Sequence, residues 1–184
     1  MFGLWVNQFR GLVNAHHLTE KTRINCIHDD PDIFTWAAIA QGAVNAIRLA
    51  GATQQTILLS GTNYTYAGSF LDSNSAYALN FVQDPTGDGS KLIFDVHQYL
   101  DSSTGNDPTH LSPVCVTDGI DNSLDQLALW LRCMGRQALL TEVGGWDVST
   151  CVTYTCRMTK FIKENSDGRS KTTLTIWLFR LMFS

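Results

Sequence analysis

Glu142 stands in a context that suits chemistry. It ends a short apolar run, Ala138 to Thr141, and is followed closely by Gly144 and Gly145. A carboxylate at the end of a buried strand can attack an anomeric carbon or act as a general base, and glycines beside it allow close approach of backbone or ligand. The plainer alternative is a glutamate that caps a loop or pairs with an arginine. His97 and Tyr99 form a second candidate pair. They follow the apolar run at residues 92–96, and residues two apart on a strand project to the same side, so both can reach one rim. Such an imidazole and phenol can hydrogen-bond a substrate and a carboxylate; the alternative is a buried histidine and a packed tyrosine. Asn63-Tyr64-Thr65 follows a third apolar run. Tyr64 could stack on a sugar ring, the triplet is also an acceptor sequence for N-linked glycan, and a plain surface loop would read the same way.

These residues need strands to present them and helices to support the strands. Residues 56–60 (TILLS), 92–96 and 138–141 are short continuous apolar runs, the pattern of strands buried on both faces. Helical periodicity separates them. Pro31 opens the clearest helix: Asp29 or Asp30 can cap it, proline suits its first turn, and Asp32 favours the positive end of its dipole. Ile33, Trp36, Ala37, Ala40, Val44 and Ile47 make its inward stripe, and Gly51 ends it. Residues 73–82 predict a helix packing through Ala76, Leu79, Phe81 and Val82. Residues 123–134 predict another, and Ser149 caps a further one through about Asn165. Residues 2–13 also carry a rough helical period. Alternation of helices with buried strands indicates parallel βα units, with polar residues gathered at the strand ends. An open doubly wound sheet is the competing architecture.

The 184 residues suggest one domain, and 44% apolar with 16% charged residues is the balance of a folded domain rather than a disordered one. The net charge of −4, with no basic run, argues against nucleic acid or an anionic membrane as partner. Nucleotide binding lacks support, because neither a GxGxxG nor a P-loop is present. The run at residues 174–183 is interrupted by Arg180 and is too short to span a bilayer. Residues 1–10 lack the positive start, continuous apolar stretch and cleavage site of a signal peptide. Five cysteines occur, Cys26, Cys115, Cys133, Cys151 and Cys156, without the spacing of a structural zinc site. Cys115, Cys151 and Cys156 lie in or beside loop-like sequence, which suits disulfides in an oxidising compartment, and an odd count leaves at least one unpaired within the chain.

Several segments together resemble the fungal endoglucanases of glycoside hydrolase family 5. Residues 31–52 (PDIFTWAAIAQGAVNAIRLAGA) resemble a helix of that family. Residues 92–101 (LIFDVHQYLD) resemble its His-x-Tyr strand, residues 127–132 its Leu-x-x-Trp-Leu-Arg helix, and residues 138–145 (ALLTEVGG) its nucleophile strand. The resemblance runs from about Asn25 to Asp167, with the motifs in the same order and at similar intervals. It implies an α/β fold, a partial (β/α)8 TIM barrel comprising about the second half of the barrel. It implies hydrolysis of internal β-1,4-glucosidic bonds in cellulose or a related β-glucan by a retaining mechanism, with no metal or organic cofactor. Glu142 falls at the nucleophile position, and His97 and Tyr99 at positions that contact substrate and orient the nucleophile. Asn25 falls at the asparagine that binds the sugar 2-hydroxyl, and Tyr64 near an aromatic lining the glucan cleft. Cys115 and Cys151 correspond to a family disulfide, while Cys156 corresponds to a cysteine whose C-terminal partner this sequence lacks. The resemblance also implies secretion.

The sequence departs from the family in three places. The acid/base motif Asn-Glu-Pro-His reads Asn25-Cys26-Ile27-His28 here, so Cys26 stands where the family has its acid/base glutamate. Units corresponding to the first part of the barrel are missing before Phe2. Residues 168–184 (GRSKTTLTIWLFRLMFS) do not resemble the family's last strand, although Trp177 could supply its cleft tryptophan. A full barrel runs to about 250 residues, so the simplest expectation is a truncated or misread coding sequence. The products then expected are an impaired hydrolase, a non-catalytic glucan-binding protein or an inactive chain of marginal stability.

Overall fold

A computed structural model of the chain describes residues 21–24, 32–101, 114–144, 146–166, 174–176 and 181–182. The elements alternate as β1 (Lys21–Ile24), α1 (Ile33–Leu49), β2 (Thr56–Ser60), α2 (Ser75–Asn80), β3 (Leu92–Tyr99), α3 (Asp125–Met134), β4 (Ala138–Gly144), α4 (Ser149–Ser166), β5 (Leu174–Ile176) and β6 (Leu181–Met182). The expected helix at residues 2–13 lies outside the described residues.

All pairings in the sheet are parallel, in the order β1-β2-β3-β4-β5, and β6 also pairs with β4. Strand order thus follows chain order. A doubly wound sheet would reverse direction at a switch point; sequential order is the winding of a barrel wall. Strand residues alternate between two environments. Ile57, Leu59, Leu92, Phe94, Val96, Ala138 and Leu140 join one buried cluster with Trp36, Val44, Leu127, Leu131, Met158 and Ile162 of the helices. Ser60 and Asp95 are also buried but take the opposite face, where their side chains meet each other. That second face leads to the site.

Helix α1 forms as its apolar spacing requires, and Ile33, Trp36, Ala37, Ala40, Val44 and Ile47 are all buried. Its cap differs from expectation. Asp32, rather than Asp29 or Asp30, accepts hydrogen bonds from the Thr35 N–H and hydroxyl, each at 3.0 Å. Pro31 therefore precedes the cap. Helix α2 is shorter than residues 73–82, and Phe81, its C-cap, is exposed and meets Tyr77 edge-on rather than joining the core as Val82 does. Helix α3 is preceded by one wide turn, Ile120–Leu124. Strands β3 and β4 both run further than their apolar cores, to Tyr99 and Gly144.

Two cross-links hold the helical layer. At the end of α1, Arg48 grips the buried Asp84 carboxylate, with Nε at 2.9 Å and Nη2 at 2.7 Å from Oδ2, and its Nη1 donates to the Ala52 carbonyl at 2.5 Å. Burial by itself raises the Asp84 carboxyl; the Arg48 hydrogen bonds and those from the Thr86 N–H and hydroxyl more than offset it, leaving the pKa below the ordinary value. Near the other end of the sheet, Cys115 and Cys151 form a disulfide, Cα–Cα 4.8 Å, that ties the segment after β3 to the first turn of α4.

Both cross-links generate predictions. A carboxyl whose pKa is lower folded than unfolded contributes stability above its unfolded pKa of about 4, and the contribution disappears as pH falls through the folded value. Thermal melts of the full chain are therefore expected to lose stability progressively below about pH 4. Asp84→Asn should cost about 3–5 kcal/mol at neutral pH, since it leaves the buried Arg48 charge unpaired. An unchanged melting temperature for that variant would refute the role given to the pair. Reduction of the disulfide, which closes a loop of sequence separation 36, should cost about 3–4 kcal/mol on loop entropy. A thermal melt with and without reductant checks this, and coincident transitions would contradict it.

Candidate active site

The site is built where β3 and β4 lose register. Val96 pairs with Leu140, but His97 pairs with Glu142, so Thr141 is an extra residue on β4. Such a bulge re-aims the side chains that follow it. Without it, Glu142 would lie opposite Gln98. That residue is fully buried on the helix-facing side, where its Oε1 accepts from the Ser123 hydroxyl at 2.7 Å. With the bulge, Glu142 shares a face with His97 and Tyr99, and Val143 takes the position opposite Gln98.

The consequence is a compact cluster. The Tyr99 hydroxyl donates to Glu142 Oε2 at 2.9 Å, and His97 Nε2 lies 3.5 Å from Glu142 Oε1. The Glu142 side chain is 43% exposed, while that of His97 is 12% exposed. A carboxylate reachable from solvent is thus held from behind by a phenol and an imidazole. Gly144 contributes by lacking a side chain. It pairs with Tyr99, and a Cβ there would sit 2.7 Å from the Tyr99 ring.

Beneath this cluster lies a group that reading the sequence overlooked. Asp95, wholly buried, accepts from the Ser60 hydroxyl at 2.7 Å through Oδ2 and from the Thr141 hydroxyl through Oδ1. Its Oδ1 is also 3.9 Å from His97 Nε2. Its main-chain carbonyl accepts from the Thr65 hydroxyl, and the Ser60 carbonyl accepts from Trp36 Nε1 at 2.8 Å. A signal was present: Asp95 interrupts an apolar strand two residues before His97, the interval that places two side chains on one face. The roles of Ser60, Thr65 and Thr141 had no comparable signal.

The other expected residues are placed as follows. Tyr64 lies in a helical turn, Asn63–Thr65, directly after β2, with its side chain 55% exposed. Because the strands are parallel, that turn leaves the sheet at the same end as His97 and Glu142. Asn63, Tyr64 and Thr65 all adopt positive φ, 49°, 52° and 54°, a conformation that is costly for non-glycine residues. Buried bonds hold the turn: Thr65 Oγ1 accepts from the Gly61 N–H at 3.0 Å and donates to the Asp95 carbonyl. The isolated bridge between Tyr66 and His97 then joins the loop to β3. Asn25 and Cys26 lie outside the described residues, as does Trp177. Cys115 and Cys151 are the disulfide pair described above, while Cys133 and Cys156 are exposed free thiols. Among the described residues, no group of three or more His, Cys, Asp or Glu could hold a metal ion. No helix there is long and apolar enough to cross a membrane.

Comparison with known proteins places this geometry in a lineage. The chain is 47% identical over 138 residues to endoglucanase EG-II of Hypocrea jecorina, which covers 75% of this chain and 32% of that relative. It therefore spans about a third of that relative's length. Among solved structures it resembles Cel5A (EG2) of Hypocrea jecorina, with a TM-score of 0.72 and 44% identity over 83% of this chain and 44% of that one. It also resembles XacCel5A, solved in complex with cellopentaose, with a TM-score of 0.66 and 31% identity over 82% of this chain and 46% of that one. These neighbours carry the sequentially wound parallel sheet into a (β/α)8 barrel. Residues 20–175 match the model of the cellulases, glycosyl hydrolase family 5, and the chain accordingly belongs to that family.

Proposed function

We propose that this chain carries the nucleophile half of an endo-β-1,4-glucanase site, in which Glu142 attacks the anomeric carbon of a β-glucan. The observation that carries this reading is the Glu142 carboxylate, solvent-reachable at the end of β4 and bonded from behind by Tyr99 at 2.9 Å. A retaining hydrolase needs that arrangement. One carboxylate oxygen must approach the sugar carbon along a defined line, and positioning of this kind supplies much of the rate. The endoglucanase names of its relatives and the cellopentaose bound to XacCel5A support a β-glucan as the substrate. Tyr64, exposed at the same end of the sheet, would offer a ring face to a sugar. Asn25, by its place in the motif, would bind the sugar 2-hydroxyl. The order of the His-x-Tyr and nucleophile motifs along the chain supports the second half of a barrel. The disulfide suits an extracellular site of action.

The sequence also gives grounds for a second reading. Cys26 occupies the position of the acid/base glutamate. A thiol is a poor acid toward an alkoxide leaving group, and loss of a general acid/base costs about 10²–10⁴-fold in rate. Glucan binding without turnover is the function that would remain.

One substrate separates the two. In 2,4-dinitrophenyl β-cellobioside the leaving phenolate departs without protonation, so attack by Glu142 forms the glycosyl ester bond as the bond between the anomeric carbon and the phenolic oxygen breaks. Deglycosylation still needs a base to deprotonate water, so the cellobiosyl-enzyme should accumulate. The expected result is a burst of one dinitrophenolate per chain and a cellobiosyl adduct on the Glu142 peptide by mass spectrometry. Both should vanish in Glu142→Ala. Cellulose binding with neither burst nor adduct would leave only the binding reading. Gly144→Ala should displace the Tyr99 ring and slow the burst about 10–100-fold; a burst at the parent rate would show that the Tyr99 contact is dispensable.

A further inference from the structure

Beneath Glu142, His97 and Tyr99 lies the carboxyl group of Asp95. Burying a polar group is costly unless hydrogen bonds compensate, and an apolar residue at position 95 would fill an interior strand site more cheaply. Asp95 is nevertheless wholly buried, and its bonds are not spread at random. One oxygen takes the hydroxyl of Ser60 on β2. The other takes the hydroxyl of Thr141, the extra residue of the β4 bulge. Thr141 lies where the β3–β4 register shifts, and its side-chain bond to Asp95 ties the bulge to the neighbouring strand.

The same oxygen matters to His97. The imidazole Nε2 stands 3.9 Å from Asp95 Oδ1 and 3.5 Å from Glu142 Oε1. Asp95 Oδ1 also accepts from the Thr141 hydroxyl, so Thr141, Asp95, His97 and Glu142 form one contiguous polar cluster.

The geometry points to Asp95 and Thr141 as positioning residues for Glu142: their bond pins the bulge that sets Glu142 opposite His97. This inference rests on Glu142 being the nucleophile, and it adds what aims it. Neither residue touches the substrate; both act through Glu142 and His97. Thr141→Val keeps the side-chain shape and removes the hydroxyl. Thr141→Ser keeps the hydroxyl. Asp95→Asn keeps the shape and converts one acceptor into a donor.

The test measures three things on the full chain: the burst rate constant with 2,4-dinitrophenyl β-cellobioside, cellobiose affinity, and crystal structures of the variants. Thr141→Val and Asp95→Asn are expected to slow the burst about 10–100-fold, with cellobiose affinity changed less than about twofold, and Thr141→Ser should recover most of the rate. In the crystals, Glu142 should have left hydrogen-bond distance of Tyr99 in the valine variant and kept it in the serine variant. A merely structural role would lower the melting temperature while leaving the burst rate of folded protein unchanged. If Asp95→Asn does not fold, the Thr141 pair carries the comparison. Parent-like burst rates in Thr141→Val, or Glu142 in its original place in that crystal, would overturn the inference. Absence of a burst from the unsubstituted chain would instead defeat the nucleophile reading, and the crystal comparison would still decide whether Thr141 positions Glu142.

Discussion

Strands β3 and β4 slip by one residue at Thr141, and the geometry of the site follows from that slip. Side chains on a strand alternate, so a carboxylate one position out of phase lands on the wrong face of the sheet. Here the wrong face is the packed layer around Gln98 and Ser123, where an ionised glutamate would be buried among apolar neighbours. The slip puts Glu142 on the face that holds His97 and Tyr99. Parallel pairing then delivers all three to one end of the sheet, the end at which barrel enzymes gather their functional side chains.

The polar core beneath that end is unusual in being connected rather than scattered. Trp36 of α1 reaches the Ser60 carbonyl, the Ser60 hydroxyl reaches Asp95, and Asp95 reaches Thr141. A chain of hydrogen bonds therefore runs from a helix through β2 and β3 to β4. Polar networks of this kind stabilise one arrangement only when every member is satisfied. Arg48 and Asp84, by contrast, hold the end of α1 to the loop before β3. Stability and geometry are thus supported by separate sets of charges.

If Cys26 stands at the acid/base position, as its place in the motif suggests, it is the chemical peculiarity of the chain. The two steps of a retaining mechanism ask different things of the acid/base group: a proton for the leaving oxygen, then removal of a proton from water. On the proposed reading, the Glu142 cluster would serve the bond-forming half by itself when the leaving group is good, and the second carboxylate would have to come from elsewhere. On that reading, the geometry around Glu142 and the motif at Cys26 would together give a site competent in one half of its cycle.

Local pattern determined a good deal. The inward stripe of α1, the three apolar strand cores and the alternation of helix with strand could be read directly, because each depends only on the period at which apolar residues recur. So could the pairing of His97 with Tyr99 on one face. Local pattern was misleading where ends and caps were concerned. Asp32 displaced Asp29 and Asp30 as the cap of α1, and Phe81 fell beyond the end of α2. Tertiary structure alone decided the rest. The bulge at Thr141 exists only in the pairing of two strands, and the buried bonds of Asp95 join residues 35 and 46 positions apart in the chain. No window of sequence contains both partners of such a contact, so the aim of Glu142 became visible only once the strands were laid side by side.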